Sequence, residues 1–224
     1  MPTSLPSKSR FLDGLTDRDR AMVVAAGRSQ CVVATSVIVH QGDPAECLYL
    51  VTRGCARYFY VTPEGKKIML MWVHTGEIFG ATALVSRPSR YLVSAEMVKD
   101  GCLLAWTRST IRTLAVRFPQ LLENALALGV DYLTWYVSAH TSLICDRADQ
   151  RVARVLVTLA DGMGHKGAGG VTIGVTNEEV ASMANITPFT ASRILNRWQR
   201  LGAISKKRGQ VLIRDPEQLF RPSP

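Results

Sequence analysis

From Cys31 to Trp106 the chain is a succession of short apolar runs closed by glycine turns, and this constrains its fold more than any other feature. The runs are Cys31 to His40, Leu48 to Val51, Ala56 to Val61 and Ile68 to Val73. They are broken by Gln41-Gly42-Asp43, Gly54, Pro63-Glu64-Gly65, Gly76 and Ile78-Phe79-Gly80. Closely spaced turns between β-rich runs predict an antiparallel sandwich or barrel. The best hairpin lies at Pro63-Glu64-Gly65, where glycine supplies a positive-φ position at no steric cost.

After Trp106 the pattern becomes helical, and Phe118-Pro119 opens a run that continues to Ile144. Leu122, Ala125, Gly129, Tyr132, Tyr136, Ala139 and Leu143 alternate spacings of three and four, which is the seam of a coiled coil. Tyr132 to Ile144 also contains no Asp, Glu, Lys or Arg. A helix apolar on several faces is buried on several faces. This one is expected to pack on its own β-region and on a second copy of itself, making the chain a homodimer.

Charge returns at Asp146, Arg147, Asp149, Arg151 and Arg154. Arg151 to Ala160 reads as a helix, Gly162 to Gly170 as a loop and Val171 to Val175 as a strand. The loop holds Gly162-x-Gly164-x-x-Gly167, a literal dinucleotide fingerprint in the wrong setting. That motif needs a strand before it and a helix after it, whereas here a helix precedes and a strand follows.

Residues Val175 to Arg214 are the most informative. Thr176 with Glu179 is a capping box that starts a short helix, with Val180, Met183 and Ala184 as its buried positions. Asn185-Ile186 then turns the chain, and Thr187-Pro188 opens a second helix with threonine as cap and proline at its first position. Two short helices joined by a tight turn form a helix-turn-helix. In the second helix Ile194, Leu195, Trp198 and Leu201 fall on one side, and Arg193, Arg197 and Arg200 in a narrow arc on another. The 29 residues from Ile186 to Arg214 contain seven Lys or Arg and no Asp or Glu. Solvated surfaces mix signs, so a one-signed helix-turn-helix points to phosphate binding and major-groove entry in double-stranded DNA. Ile204 to Ile213, turning at Lys206-Lys207-Arg208-Gly209, reads as a basic-tipped wing.

The 224 residues carry a net charge of +9, which agrees with an acidic partner. Five cysteines without a C-x-x-C pair suggest reduced thiols and no thiolate metal site. His40, His74, His140 and His165 form no H-x-H pair, so a cupin-like metal enzyme is not indicated and no catalytic or metal-ligating residue is assigned. No stretch is long and apolar enough to span a bilayer, and Met1 to Asp13 has no apolar signal core, so a cytoplasmic protein without a membrane partner is expected.

The order and spacing of these motifs resemble the catabolite activator / fumarate-nitrate regulator (CRP/FNR) family of bacterial transcription factors. The β-region carries the glycine frame in Gln41 to Tyr49, Arg53-Gly54, Glu64-Gly65-Lys66 and Gly76 to Gly80. Thr187-Pro188-Phe189-Thr190-Ala191-Ser192-Arg193-Ile194-Leu195 is similar to the family's recognition helix. The resemblance implies an α+β chain with a jelly-roll-like antiparallel β-roll effector domain over 1–117, a dimerisation helix over 118–145 and a winged helix-turn-helix over 146–224. It also implies an activator or repressor that works with RNA polymerase. Thr187, Pro188, Phe189, Thr190, Ser192 and Arg193 would then read bases, and Thr176, Arg197, Lys206, Lys207 and Arg208 would hold phosphates. Phe189 stands where well-known members place a glutamate, and Arg193 aligns with their guanine-reading arginine.

The effector is where the chain departs from its resemblance. The pocket would involve Gly80, Ala81, Arg90, Tyr91, Trp135 and Tyr136. Ala81 replaces the ribose-binding glutamate, Tyr91 replaces the serine of the phosphate-binding Arg-Ser pair, and Tyr136 and Val137 replace the hydroxyl pair that reads adenine. Cyclic AMP is therefore not the expected ligand. No cysteine cluster precedes Cys31 for an iron–sulfur centre, and His74 and His140 are the only haem-ligand candidates. Effector and cofactor stay unassigned. The competing reading is a ligand- or haem-sensing β-roll acting through protein partners.

Overall fold

Short strands of two to eight residues build the N-terminal half. The computed structural model describes residues 9–87, 89–167 and 169–220. The expected domains 1–117 and 146–224 begin and end outside these residues. The chain divides into two compact units, Met1–Thr134 and Trp135–Pro224, so the division falls inside the long helix.

In the first unit α1 (Asp17–Ala25) precedes β1 (Arg28–Val32), β2 (Val37–Val39), β3 (Cys47–Arg53), β4 (Cys55–Val61), β5 (Lys67–His74), β6 (Ile78–Phe79), β7 (Ser94–Met97) and β8 (Gly101–Thr107). The strands pair antiparallel into two four-stranded sheets, ordered β1-β8-β3-β6 and β2-β7-β4-β5. This is the antiparallel architecture that the glycine-broken runs predict. The β4–β5 hairpin turns at Gly65, whose φ is +80° and whose N–H donates to the Thr62 carbonyl at 2.8 Å.

Because successive residues of a strand point to opposite faces, β8 serves two cores. Leu103 joins Val51, Ala56, Val73, Phe79, Tyr91 and Met97 in one. Leu104 and Trp106 join Phe11, Leu48, Leu50, Ile111, Leu121 and Leu128 in the other. Full burial of each such side chain contributes about 1.5–3 kcal/mol. Trp106 is also satisfied, since its Nε1–H donates to the Val23 carbonyl at 2.7 Å. Thr107 then caps α2 (Arg108–Arg117), and α3 (Gln120–Cys145) brings Leu121 and Leu128 into the second core.

The second unit holds the remainder of α3, then α4 (Ala148–Met163), β9 (His165–Gly167), β10 (Gly170–Ile173), α5 (Asn177–Met183), α6 (Pro188–Arg200), β11 (Ile204–Lys207) and β12 (Gln210–Ile213). Its sheet runs β11-β12-β10-β9. The glycine run 162–167 begins in the last turn of α4 and ends in β9, an order that no dinucleotide site uses. The expected loop at 162–170 is entered by α4, which extends to Met163, and contains β9, whose three residues are all exposed and so leave no apolar signal in the sequence. No helix among the described residues is long and apolar enough to cross a membrane.

The cysteines correct the sequence reading. Cys31 on β1 and Cys102 on β8 stand directly opposite each other and form a disulfide with Cα atoms 4.0 Å apart, while Cys47, Cys55 and Cys145 are free. A separation of 71 residues hides this pairing until the strands are placed.

Candidate nucleic-acid interface

The helix-turn-helix starts as its capping residues dictate. The Thr176 hydroxyl accepts the Glu179 N–H at 3.2 Å while the Glu179 carboxylate accepts the Thr176 N–H at 2.9 Å. Asn185 carries the turn at φ +49°, a left-handed conformation that asparagine tolerates better than most residues. The Arg151 guanidinium braces the turn by donating to the Ala184 and Asp146 carbonyls, both at 2.8 Å. Thr187 then caps α6 by accepting the Thr190 N–H at 3.1 Å, with Pro188 at the first position.

Ala191, Ile194, Leu195 and Trp198 are buried, which fixes the roll of α6 about its axis. Leu201, expected on that buried face, is instead the C-cap residue and 65% exposed. Thr187, Pro188, Phe189 and Arg193 are exposed and Thr190 and Ser192 are half-buried, so all six expected base-reading residues lie in the first turns of α6. Phe189 is 78% exposed, a large apolar ring with no packing role in the fold.

Four of the five expected phosphate residues converge. A cleft of about 590 Å³ opens between the start of α5 and the wing, lined by Thr176, Asn177, Lys206, Lys207 and Arg208 among others. Lys206 Nζ donates to Asn196 Oδ1 at 2.9 Å, and burial lowers its pKa. Asn196 is a support that periodicity could not reveal, because nothing in the sequence ties it to the wing. Arg197 stands apart. It is half-buried and pairs with Asp149 of α4 at 3.3 Å. Burial alone would raise the Asp149 pKa, but hydrogen bonding from Arg197 and the charge of Arg147 outweigh it and keep the carboxylate ionised. Among the described residues, no ion pair or side-chain hydrogen bond engages Arg193, Lys207 or Arg208.

The expected effector residues behave differently. Gly80 has φ +78°, and a Cβ there would lie 2.6 Å from the Cys47 carbonyl oxygen and 3.2 Å from the Tyr91 ring, so glycine is required for this close approach. Tyr91 is buried in the β-roll core, and its hydroxyl both donates to the Cys47 carbonyl and accepts the Cys47 N–H, each at 2.9 Å. Nearby, Tyr49 and Phe79 stack at 4.8 Å. Ala81 is exposed, and exposed Arg90 donates to the Gly42 carbonyl at 2.5 Å. Trp135, half-buried, and Tyr136, 58% exposed, belong to the second unit. Among the described residues no group of three or more His, Cys, Asp or Glu is placed to hold a metal ion.

The residues of the expected helix seam differ in their surroundings. Leu122, Gly129, Tyr136 and Leu143 are exposed and Ala139 is half-buried, but Ala125 packs on the β-roll core. Tyr132 also turns inward: its hydroxyl donates to the Ile78 carbonyl at 3.3 Å, and its ring meets Tyr58 edge-on at 6.3 Å. Leu126, Val130, Leu133, Val137 and Ile144 of the same helix are exposed beside Leu122, Tyr136 and Leu143. Neighbouring heptad seams in a largely uncharged helix have nearly equal apolar content, and only the β-roll decides which one it covers.

Comparison with known proteins agrees with both units. Residues 17–118 match the cyclic nucleotide-binding domain and residues 150–221 the Crp-like helix-turn-helix domain. The chain is 25% identical over 183 residues to the CRP-like cAMP-activated global transcriptional regulator of Mycobacterium tuberculosis, covering 81% of each chain. It is 28% identical over 209 residues to the nitrogen fixation regulation protein FixK of Azorhizobium caulinodans, covering 91% of this chain and 82% of that one. The fold is similar to that of the c-di-GMP responsive global regulator CLP of Xanthomonas campestris, with a TM-score of 0.77, 18% identity and coverage of 88% and 99%.

Proposed function

The chain belongs to the CRP/FNR family of transcription regulators, and from that premise we propose that it binds a pseudo-palindromic operator as a homodimer without control by cyclic AMP. The observation that carries this reading is the exposed N-terminal end of α6, where Phe189 and Arg193 have no role inside the fold. Arg193 reaches a guanine O6 and N7 by a bidentate contact, and Phe189 packs on a thymine methyl. Thr176, Lys206, Lys207 and Arg208 hold phosphates around the cleft beside α5. Arg197 reaches a phosphate only by leaving Asp149.

The exposed apolar residues of α3, Leu122, Tyr136 and Leu143 of the expected seam with Leu126, Val130, Leu133, Val137 and Ile144, supply the dimer seam, since an apolar face of this length is costly to leave in water. The functional division is then a β-roll over 1–117, a dimerisation helix over 118–145 and a DNA-binding domain over 146–224. Bound at a promoter, such a dimer assists or blocks RNA polymerase. Cyclic AMP is disfavoured because Tyr91 occupies the β-roll core and its hydroxyl is spent on Cys47, while Ala81 offers no ribose partner.

Selection from a randomised duplex library at several salt concentrations tests the proposal. The expected product is a two-fold repeat with half-site centres about 34 Å apart, bound with a negative slope of log affinity against log salt. A single unrepeated site, or binding indifferent to salt, would overturn it.

A further inference from the structure

β1 is the edge strand of its sheet, hydrogen-bonded to β8. The Cys31–Cys102 disulfide joins the two at opposed positions. Its two ends differ: Cys31 is exposed, whereas Cys102 is only 5% exposed. They also differ in how firmly they are held. The Cys102 carbonyl accepts the Thr52 hydroxyl at 2.9 Å, and the adjacent Gly101 lies so close to β3 that a Cβ there would be 2.3 Å from the Arg53 carbonyl oxygen. Leu103 and Leu104 then anchor β8 in two cores. The bond therefore ties an edge strand to a strand that is immobilised on its other side.

A chain whose other unit binds DNA works beside DNA, where thiol pools keep most cysteines reduced and disulfides are transient or redox-sensing. That step rests on the DNA-binding reading above. We propose that Cys31 and Cys102 form a reversible thiol–disulfide site that clasps β1 onto β8 when oxidised and releases it when reduced. In the opening step the thiolate of a small thiol attacks Sγ of the exposed residue Cys31 and the protein S–S bond breaks. Cys102 leaves as a thiolate and takes up a proton. A second small thiol then displaces Cys31 from the mixed disulfide, leaving two protein thiols and one small-molecule disulfide. Closure by glutathione disulfide is the reverse. Cys55 does not compete, because it is buried and burial pushes its thiol up to about 12.

The test uses the full chain carrying Cys145→Ser, which removes the exposed free thiol. The protein is equilibrated in glutathione buffers of graded redox ratio without denaturant, quenched in acid, then alkylated under denaturing conditions and read by mass spectrometry. Amide hydrogen exchange is followed in the same buffers. Cys31 and Cys102 should pass together and reversibly between protected and labelled. The β1 amides should exchange at least tenfold faster in the reduced form, with β4 unchanged. The Cys31→Ser/Cys102→Ser variant should show the fast β1 exchange in every buffer. Labelling of both cysteines even in glutathione disulfide, a bond that opens only in denaturant, or equal β1 exchange in both states would overturn the proposal. None of these readouts uses DNA, so a failed clasp and a failed DNA-binding reading are told apart.

Discussion

The β-roll and the DNA-binding unit use similar residues to opposite ends. In the β-roll, aromatic and charged side chains are consumed internally: Tyr91 on Cys47, Arg90 on Gly42, and Arg57 and Lys67 on the buried Glu96. Burial alone would raise the Glu96 pKa, yet hydrogen bonds from those two cations hold it below the ordinary carboxylate value. In the DNA-binding unit the corresponding side chains, Phe189, Arg193, Lys207 and Arg208, remain exposed. Charged and aromatic groups that a fold does not use itself mark where it meets something else.

The deepest test of this contrast removes what the two regions share, a fully buried tryptophan. Trp106→Ala and Trp198→Ala should each cost about 3–5 kcal/mol of stability by denaturant unfolding, and a loss below about 1 kcal/mol at either site would show that its core is not packed as described.

The contrast sharpens with two arginines. Arg193→Ala should cost about 1–3 kcal/mol of operator affinity per half-site and relax preference at a guanine. Arg90→Ala, already bonded inside the β-roll, should leave operator affinity unchanged and cost about 1 kcal/mol of stability or less. Fluorescence anisotropy on the selected duplex decides between them, and equal effects would break the comparison.

Tyr91→Phe removes one donor and one acceptor from the half-buried Cys47 backbone and should destabilise the β-roll by about 1–2 kcal/mol. Millimolar cyclic AMP should leave the melting temperature of the unaltered chain unchanged. Lys207→Ala should weaken all duplexes alike and lower the salt slope by about one per site.

The smallest effect is a pH dependence confined to the β-roll. Burial pushes His74 below its ordinary value of 6.5, against the opposing pull of Glu77. The unfolded chain then binds this proton at a higher pH than the folded one. Stability is therefore full above about pH 6.5 and falls as pH drops from there through the depressed value, by at most about 1.4 kcal/mol per pH unit. His74→Gln should flatten that part of the curve in urea unfolding; an unchanged curve would assign the proton elsewhere.

Local chemistry made several parts of this molecule legible before folding. The Thr176–Glu179 capping box, the Thr187-Pro188 start and the turn glycines each act within four residues, so their outcome is written in the chain itself. The one-signed segment from Ile186 to Arg214 likewise announced a basic surface. α1 was not legible, because among its residues only Val23 is buried and no apolar period forms.

What the sequence by itself determined was the glycine-broken antiparallel character of the first half, the long helix, the helix-turn-helix, and which helix carries the positive face. Only the tertiary structure decided which seam of α3 the β-roll covers, that Arg197 is held by Asp149, that Tyr91 fills its own core, and that Cys31 meets Cys102. The physical reason is range. Capping and turn formation are settled by neighbours along the chain. Partnerships across 48 or 71 residues depend on how strands and helices pack, and many registers satisfy the same apolar pattern until volume and buried hydrogen bonds select one.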